Sequence, residues 1–497
     1  MNLLMLLDMV AEGNPEPILI GDLENGLTGA ELRRRALAGA QLIRRSGADT
    51  VVYLGGNGPV FPVALFASAF AGVPFLPVNY RLSDDQIREI VARRDQPYLI
   101  TDNTDRVPAR HVIETAAFFA ASAAGAALPD PAEPDIDDIA VLLMTSGTTA
   151  APKSAVLRHQ HLASYVFGSV EFGSAEPGDA TIVSVPPYHI AAVANLLSNL
   201  FAGRRIVYLD QFTAHEWLGT VSREQITHAM VVPTMLVRIV RALTESGATG
   251  PETLRSLSYG GARIDPNMLV KALELFPHTG FVNAYGLTET ASSIAVLGPD
   301  DHREAAGSAD PAVRARLGSV GRALPTVEIE IHDENGAACP PGVVGDIVVR
   351  GPQVAGEYLE AGSVVDGSGW FHTRDIGHLD ADGYLFVQGR ADDTIIRGGE
   401  NIAPAEIETV LTEHPGVLEC AVAGIADSEW GQRIAAFVVA TPGAAEDAEG
   451  LKTWVRARLR GSKTPDDVVY LAELPTTPTG KILRRTLVDL LGSPADA

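Results

Sequence analysis

A chain of 497 residues, 46% of them hydrophobic and 20% charged, is too long for one ordinary core and too apolar to be disordered, so it divides into at least two domains. Its 38 basic and 62 acidic residues leave a formal charge of −24, which argues against nucleic acid or an anionic membrane surface as the main partner. A small anionic ligand stays open, because it needs only a few local cations and backbone N–H groups.

The opening segment MNLLMLLDMVAEG lacks a basic leader and is interrupted by Asp8, so it predicts an amphipathic helix and not a signal peptide. A helical pattern over Gly29–Ser46 precedes a β-branched run at Thr50–Leu54. The greasiest stretch, 60–78, contains Pro62, Gly72, Pro74 and Pro77, and these breakers predict a buried helix, a turn and a strand instead of a membrane span. The Ala-rich residues 115–127 with PDPAEPDIDD after them predict an exposed connector into a strand over 139–144. Farther on, strands at 181–185, 205–209 and 227–232 alternate with helices at 159–172, 235–245 and 266–275. This alternation predicts α/β layers with largely parallel sheets.

After roughly residue 320 the texture changes to short strands at 327–333, 344–350 and 384–387, separated by NG, PPG and DG turns. A last unit begins near Arg390 and reads as helix 400–413, strands 417–425 and 432–440, helix 450–459 and a strand at 468–471. That order suits a small α+β domain of ~100 residues. The predicted fold is therefore α/β: a large N-terminal domain, 1–390, of layered α/β subdomains plus a β-rich subdomain, and a small α+β C-terminal domain, 391–497. No internal repeat is visible. Cys339 and Cys420 have no metal-ligand spacing and predict reduced thiols in a cytoplasmic protein.

The strand ending at Met144 runs into Thr145-Ser146-Gly147-Thr148-Thr149-Ala150-Ala151-Pro152-Lys153. Hydroxyls and N–H groups of such a loop can surround phosphate oxygens, and Lys153 adds a positive charge. It is not a Walker-type loop, and a Ser/Thr-rich loop taken alone is usually a turn. Its company decides. Downstream, in order, stand Pro187-Tyr188-His189, Tyr259-Gly260-Gly261-Ala262, Asn283-Ala284-Tyr285-Gly286-Leu287-Thr288-Glu289, Gly383-Tyr384 with Gly389-Arg390, Arg397-Gly398-Gly399-Glu400-Asn401-Ile402, and Pro478-Thr479-Gly480-Lys481. The series resembles the adenylate-forming superfamily of acyl-CoA synthetases, peptide-synthetase adenylation domains and luciferases. With AGVPFLPVNYRLS at 71–83 the resemblance covers nearly the whole chain.

The resemblance implies that ATP, Mg²⁺ and coenzyme A serve two half-reactions. Joining a carboxylate to the α-phosphorus of ATP brings two anions together, so the site must neutralise charge along the line of attack. By the resemblance, Lys481 bridges the carboxylate and the α-phosphate, Thr288 donates to that phosphate, and Glu289 holds the metal. Thr145, Ser146, Gly147, Thr148, Thr149 and Lys153 surround the outer phosphates. Gly260, Gly261, Ala262, Asn283 and Gly286 present the adenine site, with Tyr285 over the ring. Asp375 accepts from the ribose hydroxyls and Arg390 holds ribose and phosphate. Asp392 is the hinge that makes the C-terminal domain mobile, and Gly398, Gly399 and Glu400 border the pantetheine tunnel. Two departures stand out: the family commonly has glycine where this chain has Ala150 and Ser154, which could stiffen the loop.

The presumed acyl pocket takes His189, Ile190, Val193, Tyr259, Gly260, Thr290 and Ala291. It contains no Lys or Arg to meet a second carboxylate, so a hydrophobic fatty or aryl acid is expected. A core histidine satisfied by backbone is the competing reading of His189. The acceptor is expected to be coenzyme A. An enzyme that loads a carrier protein is the alternative, weakened because no carrier domain follows Lys481 and no aspartate follows His189 to meet an amino acid. An inactive nucleotide-binding regulator is disfavoured by the intact Lys481, Glu289, Asp375 and Arg390. Size alone suggests a homodimer.

Overall fold

Buried β-branched runs pair into two large, mostly parallel sheets in the computed structural model, which describes residues 1–13, 15–124, 133–145, 153–397, 400–427, 430–477 and 482–492. In the first, the consecutive strands Thr50–Leu54, Phe75–Pro77 and Pro97–Thr101 do not lie side by side in chain order. Thr50–Leu54 sits in the middle with the other two parallel on either flank. The second sheet repeats this plan: Ala180–Val183 is central, with Arg205–Tyr208 and His228–Val231 parallel on its flanks. Reversal of strand order opens a crevice at the carboxyl ends of the strands, where α/β proteins bind ligands. The two crevices are stitched together. Asn57 Nδ2 donates to the Leu209 carbonyl at 3.1 Å, and the rings of Tyr80 and Tyr188 meet edge-on at 5.6 Å.

The helices that pack these sheets follow local rules. Gly29–Ser46 starts at Thr28, whose hydroxyl accepts from the Glu31 N–H, and stops at left-handed Gly47. Val60–Ala71 is buried almost all round, then Gly72 turns the chain into strand Phe75–Pro77, as the breakers predict. Leu3–Gly13 buries Leu3, Leu4, Leu6, Leu7 and Val10, so the N-terminal segment is a core helix. One expectation fails here. Thr115–Ala124 is a helix and not a connector: alanine favours the helix, and buried Phe118 packs on Gly29–Ser46 beside Gly39. Residues 125–132, the rest of the expected connector, lie outside those described.

The β-rich part is an antiparallel sheet of Glu328–His332, Gly345–Arg350, Phe371–Leu379 and Leu385–Arg390. Beyond it a smaller C-terminal domain is built on Val417–Asp427, Gly431–Ala440 and Asp467–Tyr470. Side chains alternate across this sheet. Val422, Ala436 and Val438 meet helices Pro404–Thr412 and Ala448–Arg456, whereas Ala421, Ala423 and Phe437 meet Leu487 of Arg484–Gly492. The expected helix at 400–413 is shorter. Glu400–Ile402 is a strand paired with Ile395–Arg397, and Pro404, lacking an N–H, fixes the helix start. Among the described residues no helix is long and apolar enough to cross a membrane.

Acid should loosen this structure. Burial pushes the imidazoles of His159, His161, His189 and His228 down to about 4 from 6.5. Buried His159 also accepts the Leu3 N–H at its Nδ1, 3.3 Å away, which requires the neutral ring at that nitrogen. Because these folded values lie below the unfolded one, the unfolded chain takes up protons first as pH falls. The stability is whole above pH 6.5 and is lost as pH drops toward 4. A urea midpoint that falls between about pH 7.5 and 5, and falls less in His159→Gln, is the expected result.

Candidate active site

Strand Gly280–Leu287 carries the nucleotide motif to the sheet end, and its neighbours explain why the glycines are needed. Gly260 pairs with Ala284, and a Cβ there would sit 2.2 Å from the Ala284 carbonyl oxygen. Gly261 has φ +85, open to glycine and strained for other residues. Asn283 Nδ2 donates to Ser319 O at 3.1 Å. Tyr285 OH donates to Asp375 Oδ2 at 2.6 Å, and Arg390 Nη1 lies 3.4 Å from Asp375 Oδ1. The last pair is fixed by register, since Asp375 and Arg390 are cross-strand partners. Burial, and after it the Asp375 carboxylate, raises the Tyr285 phenol far above its ordinary value, so the phenol stays a donor. The expected ribose and adenine residues Tyr285, Asp375 and Arg390 thus form one cluster.

Thr288–Thr290 is a single tight turn at the end of that strand, and Glu289 on it is buried. The turn is closed by strain and by side chains. Ala291 and Ser292 have φ +52 and +114, a conformation that costs about 1–3 kcal/mol per residue. Thr290 Oγ1 accepts from Leu287 N and donates to Ser292 O, and buried Gln353 donates through Nε2 to Thr290 O and Ser293 O. The Thr290 hydroxyl therefore holds the turn, while Ala291 is fully buried. Tyr358 OH donates to Glu289 Oε1 at 2.6 Å, with its phenol raised by burial and then by that carboxylate. Glu289 Oε2 has no hydrogen-bond partner among the described residues. One carboxylate oxygen open beside a phosphate site suits Mg²⁺, which takes one or two carboxylates plus phosphates and water. No cluster of His, Cys, Asp and Glu able to hold a metal unaided occurs among the described residues.

Of the expected phosphate loop, Thr145 and Lys153 are among the described residues. Thr145 and Lys153 are cross-strand partners, Thr145 Oγ1 donates to Lys153 O at 3.3 Å, and Lys153 Nζ lies 5.3 Å from the centroid of the Tyr358 ring. Ser146, Gly147, Thr148, Thr149 and Ala150 lie outside the described residues, as do Gly398, Gly399 and Lys481. Ser154, where the family commonly has glycine, is buried and accounted for. Its N and Oγ donate to Glu360 Oε2 and Oε1 at 2.8 and 2.9 Å.

His189 stands at the N-cap position of helix Ile190–Ala202 without a side-chain capping bond, and its ring is tilted against that of Tyr188 with centroids 4.8 Å apart. Its Nε2, the Tyr188 OH and the Ser184 Oγ are buried without hydrogen-bond partners among the described residues. The reading of His189 as a core histidine satisfied by backbone loses support. Val193 and Tyr259 are fully buried, Ile190 is half-buried, and the Tyr259 OH bonds His302 Nε2 at 2.9 Å. Asp392 lies in a turn, 3.8 Å from Arg374, and Glu400 accepts from Arg460 at 2.6 Å. Arg374, beside Asp375, holds a left-handed φ of +62. Tyr358, Gln353 and Arg374 were missed by sequence reasoning. Tyr358 and Gln353 stand outside every recognised motif, and nothing in the local sequence marks a left-handed arginine.

Comparison with known proteins gives the same answer. The AMP-binding enzyme family model matches residues 7–359, and the AMP-binding enzyme C-terminal domain matches 406–481. A feruloyl-CoA synthase from an Amycolatopsis species is 35% identical, with 92% of each chain covered. A fatty acid–[acyl-carrier-protein] ligase from Streptomyces coeruleorubidus is 33% identical, covering 93% of this chain and 91% of its own. The structure of o-succinylbenzoate CoA synthetase from Bacillus subtilis with its acyl-adenylate superposes with a TM-score of 0.83 at 28% identity, over 99% of this chain and 98% of that one. With family models over both parts of a two-domain fold and a relative 35% identical, the chain belongs to the AMP-binding enzyme family, within the adenylate-forming superfamily.

Proposed function

We propose that this protein is an acyl-CoA synthetase that joins a hydrophobic fatty or aryl acid to AMP, releases pyrophosphate, and transfers the acyl group to coenzyme A with release of AMP. The observation that carries the reading is the single run Tyr285–Glu289, bonded at one end to Asp375 and at the other to Tyr358. Its two contacts support a reading in which the Asp375 carboxylate on the neighbouring sheet takes the ribose and Glu289 takes the metal, at opposite ends of one short run, as an in-line attack at the α-phosphorus requires. Asp375 and Arg390 hold the ribose, Tyr285 covers adenine, and Lys153 with the Thr145 loop takes the outer phosphates. Glu289 is the residue to hold Mg²⁺, which when bound supplies charge neutralisation for the phosphates. In this reading His189 and half-buried Ile190 face the acyl group, and the buried Val193, Tyr259, Gly260, Thr290 and Ala291 form the packed wall that backs them. The aryl-CoA relative supports the acid class, and free Cys339 and Cys420 suit a cytoplasmic enzyme.

The domain division at 390 and 391, with Asp392 as the swivel, belongs to the same reading. Lys481 enters for adenylation and leaves so that the face around 398–402 can admit a thiol. Transfer to a carrier protein is the second reading, favoured by the resemblance to the acyl-carrier-protein ligase. A homodimer is proposed on size alone. Pyrophosphate release with a panel of fatty and aryl acids, followed by thioester formation with coenzyme A, tests the function. Release without any CoA thioester would select the carrier protein, and no release with any acid would overturn both.

A further inference from the structure

The segment Gln353–Glu360 touches both halves of the phosphate site, and no motif contains it. At its start Gln353 is fully buried and donates to Thr290 O and Ser293 O at 3.0 and 2.8 Å. Next, the N–H groups of Ala355 and Gly356 both donate to the Glu289 carbonyl, at 2.9 and 3.1 Å. Tyr358 OH then reaches the Glu289 carboxylate at 2.6 Å. From there the segment crosses to the strand that leaves the phosphate loop. Tyr358 pairs with Ala155, Leu359 N donates to Ser154 O at 2.9 Å, and Glu360 accepts from the N and Oγ of Ser154. Arg158, farther along that strand, grips Glu357 with Nε and Nη2 at 3.0 and 2.8 Å.

We propose that this segment is a strap that sets the spacing between Lys153 and Glu289, and that Tyr358 is its positioning residue for binding Mg²⁺ and the ATP phosphates. One side chain meets both partners: the hydroxyl fixes Glu289 Oε1, and the ring face lies 5.3 Å from Lys153 Nζ. With Oε1 held by the phenol, Oε2 would be the oxygen left to hold the metal. The inference rests on the adenylating role of Glu289 proposed above.

Tyr358→Phe keeps the ring and removes only the hydroxyl, so the fold should survive. Losing a hydrogen bond to a carboxylate of this kind is expected to weaken ATP binding in the presence of Mg²⁺ by roughly 10-fold. Calorimetry without acid or CoA reads this directly, together with the Mg²⁺ concentration for half-saturation, which should rise. Thioester formation from supplied acyl-AMP should stay at the wild-type rate. In a Glu289→Gln background the same change should add little, since Tyr358 acts through Glu289. Unchanged Mg²⁺ half-saturation, an additive double variant, or equal loss in both half-reactions would overturn the strap. Absence of pyrophosphate release by the wild type would instead sink the acyl-activation reading, and the ATP-binding measurement would still judge Tyr358.

Discussion

Lys481→Ala is expected to slow ATP-dependent pyrophosphate release by roughly 10²–10³-fold, the scale of losing one preorganised donor from a transition state. Thioester formation from supplied acyl-AMP should be spared. Lys481 lies outside the described residues, but the chain on both sides of it is firmly anchored to the C-terminal domain. Thr476 bridges to Ile482, and Leu483 N donates to Pro475 O at 2.8 Å. Arg484 then donates through Nε to Val422 O at 3.1 Å and through Nη2 to Glu408 at 2.5 Å, while Nη1 lies 3.3 Å from Asp393, next to the proposed hinge residue Asp392. Rotation about that hinge therefore carries the segment bearing Lys481 with the whole domain. Rapid-quench measurement of each half-reaction is the check. Equal losses in both would contradict a lysine that leaves after the first.

The parts of the site that could be read from sequence are those where chemistry forces residue types into fixed local spacing. Tyr285 to Glu289 sit on one strand end, and Asp375 and Arg390 face each other in one hairpin-like pair, so short motifs carry them. Long-range partners leave no such trace. Tyr358 meets Glu289 and Glu360 meets Ser154 only because distant strands pair, and nothing near Tyr358 in sequence announces either contact. The fold shows the same division. Breakers in 60–78 give helix, turn and strand correctly, because proline and glycine act locally. The shared strand plan of the two large sheets is invisible as a repeat, since a buried parallel strand asks only for apolar β-branched residues and any such set will do. The Ala-rich residues 115–127, followed by PDPAEPDIDD, read as a connector, yet one large ring, Phe118, suffices to seat the helix Thr115–Ala124 on a neighbouring helix.

Removing the Asp375 carboxylate is the second large expected loss. It stands buried between the Tyr285 hydroxyl at 2.6 Å and Arg390 at 3.4 Å, so its charge is held in place before any nucleotide arrives. Two ribose hydroxyls donating to such a carboxylate each contribute about 1.5–3 kcal/mol. Asp375→Asn keeps the shape but turns one acceptor into a donor, leaving the Tyr285 phenol or a ribose hydroxyl without its acceptor. The expected result is a fall in kcat/KM for ATP of roughly 10²-fold or more, accompanied by a lower melting temperature because the buried Tyr285 hydroxyl and Arg390 lose their charged partner. A deoxyribose analogue separates the ribose role from a merely structural one. In the wild type, loss of the ribose 2′- or 3′-hydroxyl should weaken ATP use by roughly 10-fold, whereas in Asp375→Asn the same analogue should cost little more. Additive penalties would place the ribose elsewhere, and the cluster of Tyr285, Asp375 and Arg390 would then serve only to pin the β-rich sheet to the strand end.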